Sequence, residues 1–417
     1  MSEPNKNRSG YKETKVGWIP DTWEAAQYQD VTVFSGGYGF PEDLQNEASE
    51  GVPFIKVSDM NRAGNERLIL TASNYVSPET VEENRWKPFP PNATVFAKVG
   101  AALLLNRRRM LRCPTLIDNN MMAAVPMKGV NALFLFYSLQ SLDLKRLVAV
   151  GALPSVNQRD LNTARLPLPP INECGRIAEI LSTCDEVIEK TSALIDAKKR
   201  QKKALMQQLL TGKKRLPGFD GEWKEVRIGE IFKEVSRPVK WNDEELYNLI
   251  SVRRRSGGLF FRDALHGKDI LTKVMNTTRT GDFLISKMQV VHGAMAMTPP
   301  EFDGGHVSGS YITLVTTGDA AIYMPFFDQL SRTKWLYHLS FISSYGVVIE
   351  KMTFNLDDFL KKTILIPPTI IEQERISDVL KTCEDEEAAL GRKLTALKQQ
   401  KKALMQKLLT GQVRVKV

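Results

Sequence analysis

One block of this chain is written twice. Lys199–Gly212 reads KRQKKALMQQLLTG, and Lys398–Gly411 reads KQQKKALMQKLLTG. Extended backwards without a gap, Glu173–Gly212 and Glu372–Gly411 agree at 19 of 40 positions, Cys184 and Cys383 among them, at an offset of 199 residues. A solenoid repeats every ~20–50 residues. An offset of nearly half the chain means a duplicated domain, and so a pseudo-symmetric molecule.

Both copies are predicted as long helices. Neither contains proline, and the first has no glycine between Gly175 and Gly212. A seam in 3-4 spacing runs through Leu181, Cys184, Ile188, Thr191, Ile195, Lys198, Lys202, Leu205 and Leu209. The second copy gives Leu380, Cys383, Glu387, Leu390, Leu394, Leu397, Lys401, Leu404 and Leu408. A repeat of 3.5 residues keeps two helices in register along a coiled coil. About 38 residues at ~1.5 Å each give a rod of roughly 57 Å. Both end in Leu-Leu-Thr-Gly, with glycine placed for a C-cap. Ordinary core helices are the alternative, but helices this long need a partner and the chain carries a matching copy. The polar seam positions point to antiparallel pairing or to a further partner. Lys198, Lys199, Arg200, Lys202, Lys203, Lys213, Lys214 and Arg215 make the hinge after the first copy basic, either as a solvated face or as a DNA contact.

The two halves also begin and end alike. Gly17-Trp18 leading to Trp23 is matched by Gly218-Phe219 leading to Trp223. Before each helix, Asn157–Leu161 leads to Pro169-Pro170, and Asn355–Phe359 leads to Pro367-Pro368. Proline ends the preceding strand and presets helix entry. Between these edges the halves diverge but keep one pattern. Strand-like runs fall at Pro53–Val57, Ala93–Val99 and Met121–Val125, and again at Leu246–Val252, Asp282–Ser286 and Tyr311–Thr316. Helical stretches follow at Leu133–Val148 and Phe326–Ser343. Two mixed α/β domains of similar fold are expected.

Bulk properties narrow the function classes. The chain has 417 residues, 42% apolar and 25% charged, enough for two to three domains with their own cores. The N-terminus lacks the apolar core of a signal peptide. The longest apolar candidate, Ala132–Val150, contains Asp143, Lys145 and Arg146 and falls short of a membrane span of ~20 residues. A cytoplasmic protein is expected. Four scattered cysteines (Cys113, Cys174, Cys184, Cys383) contain no C-x-x-C pair and read as buried free thiols, and four histidines form no ligand set. No metal site is expected. Net charge is +9, which favours polyanions, nucleic acid first, because neutralised phosphates release counterions.

No enzyme motif stands out. Gly212-Lys213-Lys214 and Gly267-Lys268-Asp269 lack the remaining parts of a phosphate loop. Thr298-Pro299-Pro300-Glu301 is a faint likeness of an adenine methyltransferase loop without the amide or carboxylate that holds the base. Phe34–Gly39 is glycine-rich but follows no strand-to-helix unit, and reads as a tight turn.

Two unlike domains, each followed by a copy of one long helix, resemble the specificity subunit of type I restriction–modification systems. The resemblance is carried by Pro367-Pro368 followed by Glu372-Gln373-Glu374-Arg375-Ile376, and by the KKALMQ-x-LLTG ending present twice. The first copy departs, since Glu173-Cys174-Gly175-Arg176-Ile177 lacks the glutamine. The resemblance implies an α+β fold: two pseudo-symmetric mixed α/β target recognition domains joined by two long antiparallel coiled-coil helices. The layout becomes an N-terminal tail (1–16), recognition domain 1 (17–170), spacer helix 1 (171–212), recognition domain 2 (213–368), spacer helix 2 (369–411) and a C-terminal tail (412–417). It further implies that each domain reads one half of a bipartite, asymmetric site in double-stranded DNA. The helices would set the gap and dock two methyltransferase subunits, with motor-nuclease subunits joining through them. The chain itself would be non-catalytic and hold no cofactor. S-adenosylmethionine, ATP and Mg2+ would sit on partners, and the complex would act as adenine-N6 methyltransferase and ATP-dependent endonuclease.

Arginine is the usual bidentate partner of guanine, while lysine and hydroxyl groups mostly hold phosphate. Arg253, Arg254 and Arg255, just after the strand-like Leu246–Val252 that includes Ser251, form the foremost candidate cluster. Lys56, Ser58, Asn61 and Arg62 occupy the same place in the first half. Arg107, Arg108 and Arg109 make a second basic turn, and Lys98 and Lys287 follow matching middle strands. Two other readings stay open: a stand-alone nuclease with an unrecognised site, and a coiled-coil scaffold without sequence preference.

Overall fold

In a computed structural model of the chain, residues 5–45, 50–148, 153–318, 322–349 and 352–416 are described. The chain divides into two units, one of residues 1–191 and 393–417, the other of residues 192–392. Each unit thus holds one mixed domain and a stretch of each long helix.

In unit 1 a five-stranded sheet runs in the order Thr32–Gly36, Met121–Pro126, Thr94–Ala97, Arg109–Leu111, Leu68–Ile69. The first three pairings are antiparallel, and the last is parallel. Thr94–Ala97 is buried at every position, which is why it reads as a continuous apolar run rather than an alternation. A smaller sheet orders Leu116–Ile117, Val52–Ile55 and Asn74–Val76. Glu24–Gln27 pairs antiparallel with Arg165–Leu168, closing the domain just before the first long helix. Asn131 caps the helix Ala132–Ser141 by accepting from the Phe134 amide. The sequence pattern predicts a helical stretch over Leu133–Val148, but the helix ends at Ser141 and a short 3-10 turn, Leu144–Leu147, follows. Asp143 is the break, because its side chain accepts from the Lys145 amide and favours a new turn.

Unit 2 follows the same plan with different sheets. Phe232–Glu234, Tyr311–Thr316, Phe283–Ser286 and Met295–Met297 make one antiparallel sheet. Leu259–His266, Leu246–Val252, His306–Ser308 and Met275–Thr277 make another. Lys224–Arg227 pairs antiparallel with Thr363–Ile366, the counterpart of the closing pair in unit 1. The stretch read as one helix, Phe326–Ser343, is two helices, Met324–Ser331 and Lys334–Ile342. Thr333 separates them, since its hydroxyl caps the second by accepting from the Leu336 amide.

The long helices span Ile171–Leu209 and Ile370–Leu409. Every seam position given above is buried or half-buried, and most positions between are exposed. Within unit 1, Glu173 meets Arg414 and Asp185 meets Lys401; within unit 2, Lys202 meets Glu384 and Arg215 meets Glu372. Partner numbers rise on one helix as they fall on the other, so the helices run antiparallel in each unit. The helix starts are anchored in the domain cores: Ile177 and Leu181 join Trp23 and Phe136, and Ile376 and Leu380 join Phe283 and Phe326. Both terminal glycines take the left-handed backbone, Gly212 at φ 69° against Trp223 and Gly411 at φ 70° against Trp23 and Pro20. The two tryptophans read as an edge motif in the sequence are therefore the seats of the helix ends.

Of the four cysteines only Cys174 is buried, and burial pushes its thiol up to about 12. Cys113 is exposed, against the expectation of buried thiols, because it lies in the turn after Arg109–Leu111.

Candidate nucleic-acid interface

In unit 1 the strand Val52–Ile55, half-buried at Val52 and Pro53 and buried at Phe54 and Ile55, runs into a 3-10 turn, Val57–Asn61. Asp59, fully buried, fixes this turn: its carboxylate accepts from the Lys56 amide at 2.8 Å, the Ser73 amide at 2.8 Å and the Ser73 hydroxyl at 2.6 Å. Ser58, Asn61 and Arg62 are left exposed around that anchor. Arg62 donates to the Ser73 hydroxyl at 2.7 Å. The Lys56 ammonium donates to Gln45 and lies over the Phe40 ring, 5.4 Å from its centroid.

The basic turn at 107–109 meets this anchor. Arg107 donates to the Asn61 side chain, and Arg109 donates to the Met60 carbonyl at 3.0 Å. Two candidate clusters, 45 or more positions apart in sequence, are thus one surface. Arg108 is a correction. It is 1% exposed, donates to the Leu142 carbonyl at 3.0 Å and stacks over Phe96 at 4.9 Å. Burial holds its guanidinium down to about 10. It is a core residue bracing the end of the helix Ala132–Ser141, not a DNA ligand on an open face. Lys98 is half-buried, its ammonium lying over Gly36.

In unit 2 the hairpin of Leu246–Val252 and Leu259–His266 carries the Arg253–Arg255 cluster at its tip. The tip is held by main-chain bonds: the Arg253 amide to Gly258 at 2.9 Å, Arg255 to His292 at 2.7 Å, Ser256 to Gly293 at 3.0 Å. Arg255 and Ser256 sit at φ 57° and 53°, a left-handed pair that costs on the order of 1–3 kcal/mol per residue unless the surroundings fix it. The Ser256 hydroxyl bonds to that of Tyr337. Gly293, at φ 74°, is obligatory here because a β-carbon would strike the Tyr337 ring. All three arginines remain exposed; Arg253 lies over Phe260, 4.5 Å from its centroid. Ser251 and Lys287 are half-buried, and the Lys287 ammonium donates to the Gly309 carbonyl at 3.4 Å. The geometry is a backbone fixed by main-chain bonds that displays exposed guanidinium groups, suited to acceptors such as base edges and phosphate oxygens.

Three of the eight cations of the basic hinge are paired within the protein, and Lys199, Arg200, Lys203, Lys213 and Lys214 are exposed and form no ion pair among the described residues. Lys198 donates to Glu386 at 2.6 Å, Lys202 lies 3.8 Å from Glu384, and Arg215 is clamped on Glu372. What the sequence reading missed is a cleft within unit 1 of about 1180 Å³, walled by the 107–109 turn, Arg146, Arg165 and the second long helix from Lys398 to Thr410. Its residues come from distant segments, so no local signal marks it. Among the described residues no group of acidic, histidine or cysteine side chains could hold a metal ion, and no helix is long and apolar enough to cross a membrane.

Residues 20–197 match the family model of the type I restriction modification DNA specificity domain. A putative type I restriction enzyme MjaX specificity subunit of Methanocaldococcus jannaschii is 23% identical, with 97% of each chain covered. The EcoR124I/EcoR124II specificity subunit of Escherichia coli is 24% identical over 36% of this chain and 38% of that one. The crystal structure of a type I restriction-modification system S subunit from M. genitalium superposes with a TM-score of 0.60 at 14% identity, covering 98% and 99% of the two chains.

Proposed function

We propose that this chain, which belongs to the specificity subunits of type I restriction–modification systems, recognises DNA as two separate half-sites, one read by each unit. The observation that carries this reading is the hairpin tip of unit 2, where main-chain bonds fix the turn while Arg253, Arg254 and Arg255 stay exposed. A base-reading side chain needs such a fixed origin, because discrimination of ~1–3 kcal/mol rests on bidentate geometry. The Asp59-anchored turn, with Ser58, Asn61, Arg62 and Arg107, is the corresponding reader in unit 1. Lys56, Lys98, Arg109 and Lys287, each half-buried, would support phosphate contacts at the margins.

The antiparallel helices are the natural spacer. Helices of 39 and 40 residues are about 60 Å long at ~1.5 Å per residue, enough to hold two readers a helical turn of DNA (~34 Å) apart. Their repeated outer faces would dock two methyltransferase subunits, through which motor-nuclease subunits join. S-adenosylmethionine, ATP and Mg2+ belong to those partners, and methyl transfer and cleavage with them.

The test is competition binding by the assembled complex, target duplex against random duplex, alongside an assay of Mg2+-dependent cleavage by the purified chain alone. Target preference without cleavage supports the reading. Equal binding to both duplexes favours a scaffold, and cleavage by the chain alone favours a nuclease.

A further inference from the structure

The basic cleft of unit 1 has a composition that the candidate base-reading turns do not account for. Nine lysines and arginines line it, against a single carboxylate, Asp143. Lys15, Lys398 and Lys402 are exposed and form no ion pair among the described residues. Arg146 reaches Asp143 only at 4.0 Å. Lys401 is already held by Asp185 at 2.6 Å, which leaves the neighbouring lysines of the helix facing the cleft unneutralised. The Nε atom of Arg109, which is half-buried in its wall, has no hydrogen-bond partner. The repeat-related lysines of unit 2 show the same pattern: Lys202, the counterpart of Lys401, meets Glu384 and Glu387, while Lys199 and Lys203, the counterparts of Lys398 and Lys402, are exposed and form no ion pair among the described residues. In unit 1 Lys398 and Lys402 share one cleft with Arg107, Arg109, Arg146 and Arg165.

We infer that this cleft takes the sugar–phosphate backbone of DNA, so that the second long helix contributes phosphate contacts through Lys398 and Lys402. The inference rests on the DNA-recognition reading above and extends it to a surface outside the recognition turns. Three features favour this occupant. The volume of about 1180 Å³ is far larger than one phosphate ion needs. Arg107 belongs both to the cleft wall and to the Asn61 contact of the recognition turn, so one strand could run from one to the other without a break. The lysines are single point charges on an exposed helix face, which hold phosphates without reading bases. Contacts of this kind raise affinity for every sequence alike.

The test is the triple substitution Arg146→Ala, Lys398→Ala, Lys402→Ala in the assembled complex, titrated with target and random duplexes over a salt series. Three lost phosphate contacts should lower the slope of log K against log salt by roughly 2–3. Affinity at low salt should fall on the order of a hundredfold for both duplexes, leaving their ratio unchanged. A slope equal to the parent's overturns the inference. So does loss of the methyltransferase subunits from the purified variant complex, which would make the cleft a docking site for an acidic protein surface. The underlying reading fails separately, and only if the parent complex itself shows no preference for its target. Lys398→Arg with Lys402→Arg keeps the charge and should behave as the parent.

Discussion

Arg215 clamps the buried carboxylate of Glu372 through two hydrogen bonds, Nε to Oε1 at 2.6 Å and Nη2 to Oε2 at 2.7 Å. Arg414 does the same to Glu173, at 2.7 and 2.8 Å. Both residues of one pair lie 199 positions from their counterparts in the other. In each case the arginine follows one long helix and the glutamate opens the other, so the contact closes only when the helices run antiparallel. Duplication has preserved an interaction that encodes the pairing.

Arg215→Ala should therefore leave Glu372 buried and unpaired and cost about 3–5 kcal/mol. Denaturant melting of the purified chain reads this directly. Arg215→Met with Glu372→Leu should recover much of the loss. A change below about 0.5 kcal/mol for Arg215→Ala would show that the clamp is not structural.

The turns that display the candidate DNA contacts should fail one half-site at a time. Asp59→Ala strips the acceptor from three donors, each worth ~1–3 kcal/mol when buried unpaired, and should impair reading of the first half only. Gly293→Ala collides with Tyr337 and should impair the second half only. Binding to duplexes mutated in either half separates these outcomes, and loss of both halves from one substitution would contradict the assignment.

Arg254→Ala should weaken target binding by ~1–3 kcal/mol and relax one position of the second half-site, with no change in melting. Equal affinity of variant and parent across a salt series would remove Arg254 from the interface.

The repeated helices were legible because a heptad seam is local and was printed twice, and the edge strands because proline and tryptophan mark them. Arg108 was not legible. Three consecutive arginines look alike in sequence, yet after the backbone turn at Asn106, φ 54°, the middle one lies inward beneath Phe96, while Arg107 is exposed and Arg109 is half-buried. The break at Thr333 was hidden for a related reason: an apolar run such as Phe326–Ser343 has the same composition whether one helix or two. The cleft was invisible because Lys15, Arg146, Arg165 and Lys398 meet only through tertiary folding.

Thiol chemistry offers a check on the packing of unit 1. Burial, then the Glu173 charge, raises the Cys174 thiol from 9.0 to about 12, so it stays protonated at neutral pH. Its folded pKa lies above the unfolded value, and the stability tied to it is intact below pH 9 and is lost as pH rises toward about 12. Native alkylation should label exposed Cys113 and spare Cys174 until the chain unfolds. Labelling of Cys174 at the rate of Cys113 under native conditions would contradict the packing.

The most direct measurement is a map of N6-methyladenine across the host genome with and without this gene. The proposed reading, in which each unit recognises one half of a site across a constant gap, predicts the loss of methylation from one split motif with two defined halves. Loss from a single continuous motif, or from sites with a variable gap, would contradict the account.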